Sequence, residues 1–143
     1  ILDVLYYDGV KAATIEHAVE IQKQIDRDYL DGSSVHWAIA SKDTNRIMGT
    51  CGFYRGFENE TGEVGCVLLS NHHGKGIMTK ALVAVINFGF REMGLKQIEA
   101  ITSPENAKAI ALLKRLEFTR GTRISDDEIA FTKSPAGNKK QIN

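Results

Sequence analysis

The segment "EVGCVLLSNHHGKGIMTKALVAVINFGF", Glu63 to Phe90, passes from an apolar run, through a polar turn with glycines on both sides of Lys75, into a helix-forming run. The first part is too apolar at its end to have a solvated face, so it belongs inside a sheet. A helix entered from such a strand crosses back over the sheet toward a roughly parallel neighbour. The whole segment therefore predicts an α/β architecture, with a strand's carboxyl end abutting the next helix's amino end. Ligands in such sheets gather at that junction.

The flanking sequence extends this layout. Ile15, Ala18, Val19, Ile21 and Ile25 share one side of a 3.6-residue period, predicting an amphipathic helix from about residue 12 to 29. "VHWAIAS" and "RIMGTCGFYRG" are β-rich runs joined by the turn-forming "KDTN", which predicts an antiparallel hairpin. Residues 60–62 form a second polar break. After the junction, Met78, Leu82, Val85, Ile86 and Gly89 make one helical face, with Gly94 as its stop. "KQIEAIT" reads as a strand, and Ser103-Pro104 as the start of a helix with a stripe of Ala109, Leu112, Leu113 and Leu116. "EFTRG" and "DEIAFTK" read as two last strands. The expectation is a single domain over residues 1–133, built on a central mixed sheet flanked by helices, with a polar, frayed tail at 134–143. Because the chain opens at Ile1 without a methionine, an N-terminal strand is expected to be missing.

With 143 residues, 43% of them hydrophobic, the chain has material for one compact core. Its formal net charge is zero, which argues against a nucleic-acid or acidic-membrane partner. No apolar run reaches the length of a membrane span, and no secretion-type leader opens the chain. The two cysteines, Cys51 and Cys66, belong to no CxxC pair and no metal-type cluster with the histidines. A reduced, cytoplasmic protein without a metal is the expectation.

The amino end of a helix carries unpaired N–H groups and partial positive charge. Gly74 and Gly76 let the backbone turn and approach a ligand closely, so the entrance suits a phosphate-bearing molecule as well as it suits a plain tight turn. Two nucleotide motifs fail on the letters. A P-loop needs Ser or Thr after GK, and Gly76 stands there, with Leu69 at the first glycine position; a dinucleotide fingerprint needs a third glycine where Thr79 stands.

From about Trp37 to Phe118 the chain resembles the GNAT superfamily of acetyl-CoA-dependent N-acetyltransferases. The resemblance rests on "NHHGKG" as the phosphate motif Gln/Arg-x-x-Gly-x-Gly/Ala, with Asn71 in place of Gln or Arg. It continues through "RIMGTCGFYRG", "GEVGCVLLS", "GKGIMTKALVAVINFGFREMGLKQIEAI" and "NAKAIALLKRLEF", in that order and spacing. It is most similar to the branch that includes the ribosomal-protein N-terminal acetyltransferases.

The resemblance implies acetyl-CoA as donor and an amine-bearing acceptor, either a small molecule or a protein N-terminus; a homodimer is left open. It implies that main-chain N–H groups of His73, Gly74, Lys75, Gly76, Ile77 and Met78 cradle the pyrophosphate, with Thr79 as a hydroxyl donor. Lys75 adds charge or is a solvated loop residue. The strand end Val67, Leu68 and Leu69 would pair through its backbone with the pantetheine amides. Asn106 would bond the pantetheine arm or cap its helix. Glu117 replaces the family's glycine before Phe118, so the turn there is the feature at issue.

The chemistry implied is direct attack of an amine on the thioester, with no acyl-enzyme. Glu63 is the candidate base, against an exposed strand glutamate as the alternative, with Glu60 in reserve. The family's thiolate-protonating tyrosine position holds Leu113, which leaves Tyr54, another group or solvent. Cys66 reads as a small buried hydrophobe, His72 and His73 as loop residues, and Trp37 as core. A non-catalytic acetyl-CoA sensor or partner domain and a structural module are the other classes considered.

Overall fold

A computed structural model describes residues 6–7, 10–55 and 57–137. The elements are β1 (Tyr6–Tyr7), β2 (Val10–Lys11), α1 (Ile15–Leu30), β3 (Val35–Ala40), β4 (Ile47–Phe53), β5 (Thr61–Leu68), α2 (Ile77–Arg91), β6 (Gln97–Thr102), α3 (Ala107–Arg115), β7 (Thr119–Arg123) and β8 (Ile129–Lys133). Short 3-10 turns at Glu58–Glu60 and Ser70–His72 precede and follow β5. The expected frayed tail falls largely outside the described residues, as does any strand before Ile1.

Six strands form one mixed sheet in the order β3-β4-β5-β6-β8-β7, and β1 pairs with β2 as a separate ribbon. Neighbours are antiparallel except β5 and β6, which run parallel as the crossover through α2 requires. The last strand, β8, lies between β6 and β7, an order that chain sequence does not reveal. In the β3–β4 turn Asn45 takes a left-handed conformation (φ 55°) and its N–H donates to the Ser41 carbonyl at 2.8 Å.

The core lies between the sheet and α2. Phe53, Ile98 and Phe131 are fully enclosed, and Leu82, Val85, Ile86 and Gly89 of α2 are buried against them. Each of those enclosed side chains contributes about 1.5–3 kcal/mol by leaving water. Trp37 packs against this core and meets Phe88 edge-on, with centroids 5.1 Å apart.

Two helix starts differ from expectation. The first helix begins at Ile15, because the Thr14 hydroxyl accepts the His17 N–H and caps it there. Only part of its apolar stripe is covered: Ile21 is buried, while Ile15 is 69% exposed. The last helix begins at Ala107 rather than at Ser103-Pro104. The Ser103 hydroxyl instead accepts from Glu105 N in a local turn, and Asn106 takes the capping position. The turn at Glu117 forms without glycine. Glu117 sits at φ 61°, its N–H bonds the Lys114 carbonyl, and Phe118 N–H bonds the Leu113 carbonyl. The left-handed residue costs about 1–2 kcal/mol, offset in part by Lys133, whose ammonium reaches the Leu116 carbonyl at 2.8 Å.

Candidate active site

The parallel pairing of β5 with β6 is brief: Thr61, Gly62 and Glu63 oppose Gln97, Ile98 and Glu99, and there the ladder ends. Both strands continue, β5 to Leu68 and β6 to Thr102, but they splay apart. On its other side β5 stays paired with β4 as far as Leu68. Backbone groups of an antiparallel strand alternate between its two edges. Tyr54 N–H donates to the Glu63 carbonyl at 2.9 Å and Leu69 N–H to the Met48 carbonyl at 2.8 Å. Glu63, Gly65, Val67 and Leu69 therefore turn their backbone groups to β4. Those of Val64, Cys66 and Leu68 point away from β4: Val64 sits at the last rung of the β5–β6 ladder, and Cys66 and Leu68 face the opening. Of the expected pantetheine-pairing residues, Leu68 has the right phase, and Val67 and Leu69 do not; Cys66, which the sequence reading did not assign to this role, does.

Two cavities occupy the opening. One, of about 500 Å³, is bounded by β5 from Glu63 to Val67, by Ala100 to Thr102 of β6, and by Leu112 and Leu113 of α3. Tyr54, Arg55 and Glu128 complete its polar wall. The other, of about 850 Å³, lies against the entrance of α2 and the outward face of α3. They share Cys66, Asn106, Ala109 and Leu112, so they meet along α3.

At the α2 entrance, Gly74 and Gly76 both take φ 73°, a left-handed conformation in which a Cβ would be strained. Gly76 caps α2 without any side-chain hydrogen bond, so the first N–H groups of the helix lack a side-chain acceptor. The His73 ring is 2.9 Å from the Leu68 carbonyl and the His73 backbone N–H donates to the Ser70 carbonyl, so His73 pins the loop to the end of β5. His72, Gly74, Ile77, Met78 and Thr79 line the larger cavity, whereas Lys75 is exposed and does not. Asn106 caps its helix, the second of its two readings. Its Oδ1 accepts the Ala109 N–H at 3.1 Å, capping α3, while the same residue borders both cavities.

Glu63 faces the smaller cavity, and its Oε2 accepts from Arg55 Nε at 2.8 Å. Glu60 is drawn to Lys96 in an ion pair and borders neither cavity. Leu113 is buried at the position of the family's tyrosine, but the Tyr54 ring reaches the same cavity from β4. It lies so close over Gly65 that a Cβ there would sit 1.9 Å from its Cε2. Lys108 and Arg115, spaced i to i+7 on α3, also border the larger cavity. That helical spacing was visible in the sequence, and only the position of the cleft was lacking.

Cys51 and Cys66 are directly opposite one another on β4 and β5. Burial pushes the Cys66 thiol up to about 12, with Cys51 adding to the effect, and burial pushes Cys51 up to about 11. Near neutrality neither is a thiolate nucleophile. Cys66→Ala is expected to retain most of its transfer activity, with a stability loss of about 1 kcal/mol, checked by steady-state kinetics and a melting curve. A trapped acetyl-Cys66 would overturn that expectation.

Residues 4–119 match the family described as the acetyltransferase (GNAT) domain. The chain belongs to the GNAT family. It is 35% identical over 117 residues to the uncharacterized N-acetyltransferase p20 of Bacillus licheniformis, across 81% of this chain and 66% of that protein. It is 25% identical over 116 residues to YoaA of Bacillus subtilis, an uncharacterized N-acetyltransferase, again across 66% of the relative. The chain thus spans slightly less than two thirds of the length of these two relatives. A ribosomal-protein alanine acetyltransferase from Vibrio fischeri superposes with a TM-score of 0.71 at 24% identity, over 85% of this chain and 73% of that one. A spermidine N-acetyltransferase chimera involving Vibrio cholerae SpeG superposes at 0.75 with 14% identity, over 94% and 84%. At such identities the superpositions establish the fold. Among the described residues no cluster of side chains could hold a metal ion, and no helix is long and apolar enough to cross a membrane.

Proposed function

We propose that this GNAT domain moves the acetyl group of acetyl-CoA directly to a primary amine, a protein N-terminus being one such acceptor. The observation that carries the reading is the splayed β5/β6 edge, which leads from the glycine-turned α2 entrance to a cavity holding Glu63. N–H groups from Gly74 onward and the start of α2 suit a pyrophosphate, and the Thr79 hydroxyl lies beside them. The backbone groups of Cys66 and the Leu68 N–H on the open edge suit the pantetheine amides, as an added strand would pair, while the Leu68 carbonyl is held by the His73 ring. Lys108 and Arg115 put positive charge along the same cleft.

Bound acetyl-CoA supplies an activated thioester carbonyl. The chain's own part is to align an amine against it, exclude water with Leu112 and Leu113, and hold the developing oxyanion with the N–H of Cys66. Glu63 takes the proton lost by the amine, directly or through water. The leaving thiolate is protonated by Tyr54 or by solvent.

Acetyl-CoA at a hundredfold excess over its Kd is expected to raise the Tm by roughly 5–10 °C. CoA is also expected to be released steadily when an amine panel is added. A thermal shift without amine-dependent CoA release would make the domain a binding module, and no shift would remove the acetyl-CoA reading.

A further inference from the structure

The acceptor cavity holds one cation and two carboxylates, and its intended base is already occupied. Arg55 stands two residues past the end of β4, and its Nε lies 2.8 Å from Glu63 Oε2. The Glu63 side chain is 21% exposed and that of Arg55 57%. Glu128 lies on the same wall. Proton uptake at Glu63 Oε2 must give up a charge-assisted hydrogen bond that is short and partly sheltered. The guanidinium is the more exposed partner, and an anion is what draws a guanidinium off a carboxylate at least cost, by replacing one carboxylate acceptor with another.

We infer that the acceptor carries a carboxylate beside its reacting amine, and that this carboxylate takes Arg55 while the amine is delivered to Glu63. The inference rests on the acetyltransferase reading and names its acceptor class. A zwitterionic acceptor matches the cavity's charges: Arg55 receives the carboxylate, and Glu63 with Glu128 receives the ammonium. A polyamine has no group for Arg55 and is repelled by it, so the same residue selects against multiply cationic amines. A cavity of about 500 Å³ is within the size range of small-molecule sites. In the reaction one ammonium proton passes to Glu63, the nitrogen lone pair forms the C–N bond as the thioester carbonyl opens to an oxyanion, and collapse of that adduct breaks the C–S bond; the adduct nitrogen gives up its second proton, which reaches the departing CoA thiolate through Tyr54 or solvent, leaving the neutral amide and CoA thiol. No oxidant or further reactant is required.

The test measures kcat/KM with acetyl-CoA for a series of ω-amino acids of increasing chain length, each paired with its amide. Spermidine and two amidated peptides, one with Asp and one with Asn at the second residue, complete the panel. The peptides distinguish a protein N-terminus from a free amino acid as the source of the carboxylate. The expected result is a preference of at least about tenfold for the carboxylate over its amide at one spacing or in the Asp peptide. In Arg55→Gln that preference disappears: the ratio of kcat/KM for the acid to kcat/KM for its amide falls to about one, whatever the absolute rate. Arg55→Lys retains part of the preference.

Equal rates for acid and amide, faster transfer to spermidine, a preference that survives in Arg55→Gln, or no transfer to any member of the panel would overturn the inference. Absence of an acetyl-CoA thermal shift in the wild-type protein would instead overturn the acetyltransferase reading itself. Because Arg55 is more than half exposed, its substitutions are expected to leave the Tm close to wild type, which a melting curve checks.

Discussion

Glu63→Gln is expected to lower kcat about a hundredfold while leaving the Kd for acetyl-CoA nearly unchanged. The two effects separate because Glu63 borders the smaller cavity only, and the α2 entrance belongs to the larger one. Glutamine keeps the side chain's size and can still accept from Arg55, so packing and the local hydrogen bond survive while the proton acceptor is lost. The sign of the pH effect follows. A carboxylate base works only when ionised, so wild-type activity falls toward acid as Glu63 takes up a proton, and in the variant that part of the acid limb disappears. The limb that belongs to protonation of the free amine remains. Full activity in a folded Glu63→Gln protein would move proton removal to water or to Glu128. Glu60 is a poorer substitute, since it is paired with Lys96 away from both cavities.

The elements were legible wherever the apolar period was unambiguous. The α2 face of Leu82, Val85, Ile86 and Gly89 is buried as its spacing required, and the β3–β4 hairpin turns where Asn45 permits. What remained hidden depends on registers between distant segments. Whether Val67 or Cys66 directs its backbone into the opening is decided by a one-residue phase in the β4–β5 ladder, set by Tyr54 N–H on the Glu63 carbonyl. No composition or period encodes that phase. The Arg55–Glu63 pair was hidden for the same reason, since its partners stand eight positions apart and meet only because the strands between them fold back. Helix starts erred toward the earlier capping candidate, Ser103. Serine and asparagine both cap, and only the competing turn at Glu105 decides between them. The glycine-to-Glu117 departure proved tolerable because one left-handed residue costs little beside the burial of Leu113, Leu116 and Phe118 around it.

Gly76→Val is expected to raise the Kd for acetyl-CoA at least about tenfold, or about 1.4 kcal/mol, without unfolding the protein. No atom lies within 4 Å of where a Cβ on Gly76 would sit, so the effect does not come from a clash within the chain. It comes from φ 73°, a conformation that costs a β-branched residue more than the roughly 1–2 kcal/mol paid by an ordinary L-residue. The free loop escapes that strain by leaving the left-handed state, which carries the N–H groups at the α2 entrance out of alignment. Binding must then restore the conformation, and the cost of restoring it appears in the Kd. Gly76→Asn separates this from the second role of the glycine, because asparagine enters the left-handed region with less penalty but still places a side chain on the ligand's approach. If Asn keeps the wild-type Kd and Val does not, backbone conformation is what the site requires. If both weaken binding equally, close approach of the ligand to the backbone is the reason. Isothermal titration of the three proteins, with melting curves as a check on folding, decides between them. An unchanged Kd in folded Gly76→Val would show that no phosphate rests on this helix entrance.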